Sequence, residues 1–123
     1  MSEARTYQLL IEVTRPLTVV VGRLGPCRFP AGRYIYTGSA KRNLEARIAR
    51  HLRQDKKLHW HIDYLLTQPG VRVAGVRRYA DAECDLNRRT PGIPLLPGFG
   101  ASDCKAGCGS HLKFIDADAT RTA

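Results

Sequence analysis

Apolar and polar positions alternate in two registers along this chain, and the registers predict its elements. Leu44, Ile48 and Leu52 recur four apart and predict one buried face of a helix over Asn43 to Arg53, with Asn43 as its cap. Ile62, Leu65 and Leu66 give an apolar stripe to a second helix over His59 to Thr67, which Gln68-Pro69-Gly70 stops. Val71 to Tyr79 alternates and reads as a strand. Tyr7 to Val13 reads as an earlier strand, with Leu17 to Val21 as its hairpin partner across Thr14-Arg15-Pro16. Arg23 to Pro30 carries Gly25-Pro26 and Phe29-Pro30 and reads as a loop. Arg33 to Thr37 is a further strand, and Asp81 to Arg88 a third helix with acidic residues in its first turn. His111 to Ile115 is a last short strand, and the tail from Asp116 to Ala123 is expected to fray. The sum is one α+β domain over residues 1–123, with a small central mixed or antiparallel sheet flanked by helices. Residues 90–111 form a segment rich in Pro, Gly and Cys that needs some constraint beyond regular structure.

Charge changes this picture more than overall composition does. The 123 residues are 43% hydrophobic, ordinary for a globular domain, but the 20 Lys and Arg oppose 11 acids for a net charge of +9. That balance favours a polyanionic partner, nucleic acid first, and arginine suits bidentate phosphate contacts. No stretch approaches the roughly 20 apolar residues of a membrane span, and no signal-peptide pattern opens the chain. The expected location is therefore cytoplasmic, without a membrane partner, and the four cysteines are expected to be reduced.

Candidate chemistry gathers where a strand meets a basic helix. Gly32 to Thr37 is extended, Gly38-Ser39 breaks it, and Lys41-Arg42-Asn43 leads into the helix carrying Arg47, Arg50, His51 and Arg53. This places Tyr36 at a strand end, an arginine one helical turn in, and positive charge around both, as a phosphodiester requires. Lys41, Arg42, Arg50 and Arg53 are candidate nucleic-acid contacts. His51 shares a face with Arg47, and either contacts a phosphate, relays a proton or is a surface histidine. His59 and Asp63, four apart, face one side of their helix. His61 either approaches the site or hydrogen-bonds in the core, and Trp60 reads as core rather than as a base-stacking platform. Cys84, Cys104, Cys108 and His111 have spacings that a closed structural zinc site could use, with buried or exposed thiols as the alternative.

The order and spacing of these motifs resemble the GIY-YIG endonuclease superfamily, and most of all its small stand-alone branch, the Uri superfamily endonucleases. Tyr36-Thr37-Gly38 matches the second tyrosine motif, Asn43-Leu44 and Arg47 follow at the family's spacing, and Tyr7 takes the place of the first-motif tyrosine. Arg5 stands where the family usually has glycine, and the interval between the tyrosine motifs is long, with a basic loop near Arg28. His59 to Leu65, Glu83-Cys84 and Gly98 to Cys104 look like the branch's own signatures, so the resemblance spans roughly residues 5 to 115. It implies that Glu83 holds Mg²⁺ or Mn²⁺, that Arg47 binds the scissile phosphate, and that Tyr7 and Tyr36 act as general base or orient the water. The implied function is a divalent-metal-dependent endonuclease that hydrolyses DNA, more readily than RNA, by direct water attack; Tyr7, Tyr36, Arg47 and Glu83 from the resemblance, with His51 added from its helix face, make the expected catalytic set. The alternatives are a non-catalytic basic nucleic-acid-binding module on the same fold, and a regulatory unit that binds no DNA.

Overall fold

The computed structural model describes residues 4–40, 42–100 and 110–117. Four antiparallel strands form the main sheet: β1 (Thr6–Val13), β4 (Gly32–Ser39), β5 (Val71–Tyr79) and β6 (Leu112–Asp116), in the order β5-β1-β4-β6. The predicted α+β class with a helix-flanked central sheet holds, and the sheet is antiparallel throughout. Tyr7 pairs with Gly38, Leu9 with Tyr36, Ile11 with Tyr34 and Val13 with Gly32, which sets these side chains on one face of the sheet. That face is the core. Leu9, Ile11, Val13, Tyr34 and Tyr36 pack there with Ile48 of α1 (Leu44–Leu52) and with Ile62 and Leu65 of α2 (His61–Leu66). The opposite face is polar where α3 (Glu83–Arg89) covers it. Buried Gln8 donates to the hydroxyls of Thr37 and Thr90, and the Thr90 hydroxyl donates to the Leu86 carbonyl.

The second strand corrects its expected pairing. β2 (Leu17–Val20) pairs not with β1 but with β3 (Pro26–Phe29), through a single 3₁₀ turn at Gly22–Leu24, as a separate two-stranded sheet. The reason is valence: β1 is already bonded to β4 on one edge and β5 on the other, so it offers no free ladder. The stretch read as a loop from Arg23 to Pro30 therefore contains a strand. Pro26 sits at its first position, where a missing N–H is tolerated, and Cys27 and Phe29 are buried while Pro26 and Arg28 are exposed.

Three helix expectations shift. Asn43 caps α1 as expected, its Oδ1 accepting from the Ala46 amide, but Leu52 is 51% exposed and His51 takes the buried position. Each four-residue step overshoots a full turn by about 40°, so Leu44, Ile48 and His51 share the inward face and Leu52 drifts off it. α2 begins at His61 rather than His59, because the Asp63 carboxylate accepts from the amides of His59 and Trp60 and holds both outside the helix. His59 therefore shares no helix face with Asp63. α3 runs from Glu83 to Arg89, two residues later at its start than expected.

Packing supplies the constraint that the Pro- and Gly-rich segment needs. Phe99 is fully buried edge-on to Phe29, Ile93 bridges Phe114 through a pair of backbone hydrogen bonds, and the His111 amide donates to the Phe99 carbonyl. The expectations placed on Lys41, Cys104, Cys108 and the tail beyond residue 117 lie outside the described residues. No helix among the described residues is long and apolar enough to cross a membrane.

Candidate active site

The strand end at Gly38-Ser39 is where the elements converge. Tyr7 enters from β1, Tyr36 from β4, Arg47 and His51 from α1, and Glu83 from the start of α3. Register explains the glycine of the second tyrosine motif. Gly38 lies opposite Tyr7, and a Cβ there would stand 2.5 Å from the Tyr7 hydroxyl and 3.1 Å from the Tyr36 ring. Gly100 does the same from the other side. Its φ of +69° suits glycine, and a Cβ there would stand 2.9 Å from Tyr36 Cε1. The two tyrosine rings, with centroids 6.4 Å apart, are thus packed between backbone surfaces that admit no side chain.

Tyr7 and His51 form a buried pair, with the hydroxyl 2.6 Å from Nε2. Burial pushes the Tyr7 phenol well above the ordinary tyrosine range, against the pull of the Arg47 guanidinium, whose charge and hydrogen bond act in the opposite direction. Burial also raises Tyr36, reinforced by Tyr7 and by the Glu83 and Asp63 carboxylates. The His51 imidazole is pushed down to about 4 by burial and by the positive charges of Lys56, Arg50 and Arg47, with Asp63 opposing. All three groups are neutral at pH 7.

Arg47 and Glu83 meet through Ser39. The Arg47 guanidinium donates to the Ser39 carbonyl at 3.1 Å, and the Ser39 hydroxyl donates to Glu83 Oε1 at 2.5 Å. His111 Nδ1 stands 2.6 Å from the other oxygen, Glu83 Oε2. Burial would raise the Glu83 carboxyl, but the hydrogen bonds from His111 and Ser39 and the charges of His111 and Arg47 outweigh it and hold it below the usual range. Glu83 is therefore ionised. Each carboxylate oxygen carries two lone pairs, so each retains one beyond its present partner. That fits a single-carboxylate hold on a magnesium ion that keeps most of its water. Among the described residues, no group of three or more His, Cys, Asp or Glu side chains gathers where a metal could be held. His111, assigned by spacing to a zinc set, lies against Glu83; Cys84 is half-buried on α3 beside it.

The expected nucleic-acid contacts separate. Arg42 and Arg53 are exposed at the two ends of α1. Arg50 instead turns inward and grips the fully buried Asp63 through both nitrogens, at 2.8 and 3.0 Å, and also donates to the Lys57 carbonyl. Among the described residues no carboxylate lies within ion-pairing distance of Arg47, whose guanidinium carbon sits 4.3 Å from the centre of the Trp60 ring. His61 is half-buried, its Nδ1 accepting at 2.9 Å from the amide of Gly100, the glycine packed against Tyr36. Sequence reasoning missed Ser39, whose hydroxyl and carbonyl act on two different elements, and the attachment of His111 to Glu83. The signal for Ser39 was its place directly after the Tyr-x-Gly motif, which does not break the strand as expected but continues it, Gly38 and Ser39 pairing with Tyr7 and Thr6 of β1; nothing in the spacing pointed His111 at Glu83.

A family model described as a domain of unknown function, DUF123, matches residues 6–123, and the chain belongs to that family. No curated protein and no solved structure matches the chain.

Proposed function

We propose that this domain is a divalent-metal-dependent endonuclease of the GIY-YIG type, of the kind found in the Uri superfamily branch, and that it hydrolyses DNA phosphodiester bonds. The observation that carries the reading is the Ser39 junction. It sets a guanidinium that no carboxylate pairs among the described residues, and an ionised carboxylate, on one residue, beside a buried tyrosine–histidine pair. Hydrolysis of a phosphodiester requires charge stabilisation at the phosphoryl oxygens, an oriented water and relief at the leaving oxygen. Magnesium or manganese bound at Glu83 would supply Lewis acidity at the phosphoryl and leaving oxygens. Arg47 binds the phosphate. Tyr7 and Tyr36, held as phenols, orient the attacking water by hydrogen bonding, and Tyr7 passes its proton to the neutral His51 Nε2 as it accepts one. The net charge of +9 brings the polyanion to the site, with Arg42 and Arg53 on either side.

The test is a cleavage panel over duplex, single-stranded and branched DNA and over RNA, with Mg²⁺, Mn²⁺ or EDTA. Metal-dependent cutting of DNA supports the reading. Tight, salt-sensitive binding without cutting under any metal would leave the domain a nucleic-acid-binding module, and absence of both would remove nucleic acid as its partner.

A further inference from the structure

Trp60 stands outside the set of residues just assigned, yet two arginines converge on its ring. The guanidinium carbons of Arg47 and Arg50 each lie 4.3 Å from the ring centre. Two like charges drawn to one aromatic ring need a counter-charge, and Asp63 provides it. Fully buried, it takes both nitrogens of Arg50. The same carboxylate accepts from the Trp60 amide at 2.9 Å and from the His59 amide at 2.9 Å, fixing the backbone that carries the indole. Asp63 thus sets Arg50 and the Trp60 main chain, and the indole presents its π surface to Arg47, whose one other hydrogen-bonded anchor on the main chain is the Ser39 carbonyl. Held by the Ser39 carbonyl and the Tyr7 hydroxyl, the guanidinium keeps its remaining donors open, and the indole face beneath it limits the rotamers it would otherwise sample at an entropic cost on each substrate encounter.

We infer that Trp60 is the positioning residue for Arg47, holding its guanidinium over the indole with donors open to a phosphate, while Arg50 is committed to the support and not to the substrate. This rests on the reading of Arg47 as the phosphate-binding group. It goes beyond that reading by giving the indole a task in turnover.

The experiment has a kinetic and a spectroscopic arm. Trp60→Met removes the aromatic face and keeps an apolar side chain; Trp60→Phe restores a smaller ring. The expected result is that Trp60→Met lowers kcat about tenfold with KM changed less than about twofold, that Trp60→Phe recovers most of the loss, and that Trp60→Met costs nothing further in an Arg47→Ala background. An equal loss in that background would mean that Trp60 acts elsewhere and would overturn the proposal. In the wild-type protein, NMR should find the Arg47 side-chain protons shifted upfield by the indole ring current, with the assignment made from Arg47→Lys. Arg47 at the position of a solvated arginine would overturn the proposal even if the Met variant failed to fold. Should the wild-type protein cut no substrate, the nuclease reading falls, and the ring-current result alone still decides whether Trp60 holds Arg47.

Discussion

Glu83 and His51 lie on either side of Arg47 and make opposite demands of it. The guanidinium helps keep the Glu83 carboxylate ionised, and it helps keep the His51 imidazole neutral. Glu83→Gln preserves the shape and the Ser39 contact but removes the negative charge. The expected result is loss of metal-dependent cleavage by at least about a hundredfold, with DNA binding within a fewfold of wild type, measured by single-turnover cutting and a parallel binding titration. Unchanged cutting would remove Glu83 from the site. His51 makes a prediction that needs no substrate. Its folded pKa of about 4 lies below the ordinary histidine value of 6.5, so between those values the unfolded chain takes up a proton that the folded chain refuses. Stability should therefore be undiminished by His51 above pH 6.5 and fall as pH drops through the window to about 4, by about 3 kcal/mol in all. Urea unfolding across pH 7 to 4 should show this slope in the wild type and a shallower one in His51→Gln. Asp63, whose carboxyl burial would raise but Arg50 and the two amides hold low, loses its contribution only below its ordinary value of 3.8.

At the scale of elements, α3 is fastened to the β6 side of the sheet at both ends. Its first residue, Glu83, meets His111; Asn87 donates to the Ser110 carbonyl; and the buried Lys113 ammonium donates to the carbonyls of Asn87 and Thr90 at the helix C-terminus. A cation there satisfies end carbonyls and complements the helix dipole. Lys113→Met should cost about 1–3 kcal/mol, and amide exchange should quicken first in α3; protection unchanged along α3 would show that the lysine is not its clasp. How much of this the sequence disclosed follows from where the information sits. The strands over Tyr7, Arg33 and Val71 and the helix over Ile48 were legible because periodic burial is written in consecutive residues. β3 was not, because its Gly-Pro start and Phe-Pro end carry the marks of a turn while Cys27 and Phe29 bury between them. The inward turn of His51 in place of Leu52 was hidden by reading an exact fourfold recurrence into a helix that does not keep it. The tyrosines, Arg47 and Glu83 were singled out by motif and His51 by its helical spacing from Arg47, and the structure brings them to one strand end. Lys113 and the Glu83–His111 contact were invisible and the two contacts of Ser39 went unread, because each depends on a backbone carbonyl or on a partner 26 or more residues away.

Over the whole molecule, acids are consumed in pairs. Glu12 meets Arg72, Glu45 meets Arg78, Asp81 meets Arg89, Asp85 meets Arg88, Asp116 meets Arg33, and Asp63 meets Arg50. The exposed pairs add little stability, and because each cancels one acid against one base they leave the net charge of +9 in place. Binding to DNA should accordingly weaken steeply with salt, with a log–log slope near −0.9 per phosphate neutralised, as read by anisotropy between about 50 and 200 mM. A flat response would separate the charge from the partner. The indole beneath Arg47 and Arg50 has one more consequence. It is the only tryptophan in the chain, so all tryptophan emission of this protein originates next to the guanidinium assigned to the phosphate. The molecule carries its own optical gauge of that contact. Titrating unlabelled DNA in EDTA, where nothing is cut, should change the emission of the wild type in step with binding and leave that of Arg47→Ala nearly still. The loading of the phosphate pocket then becomes measurable before any bond is broken.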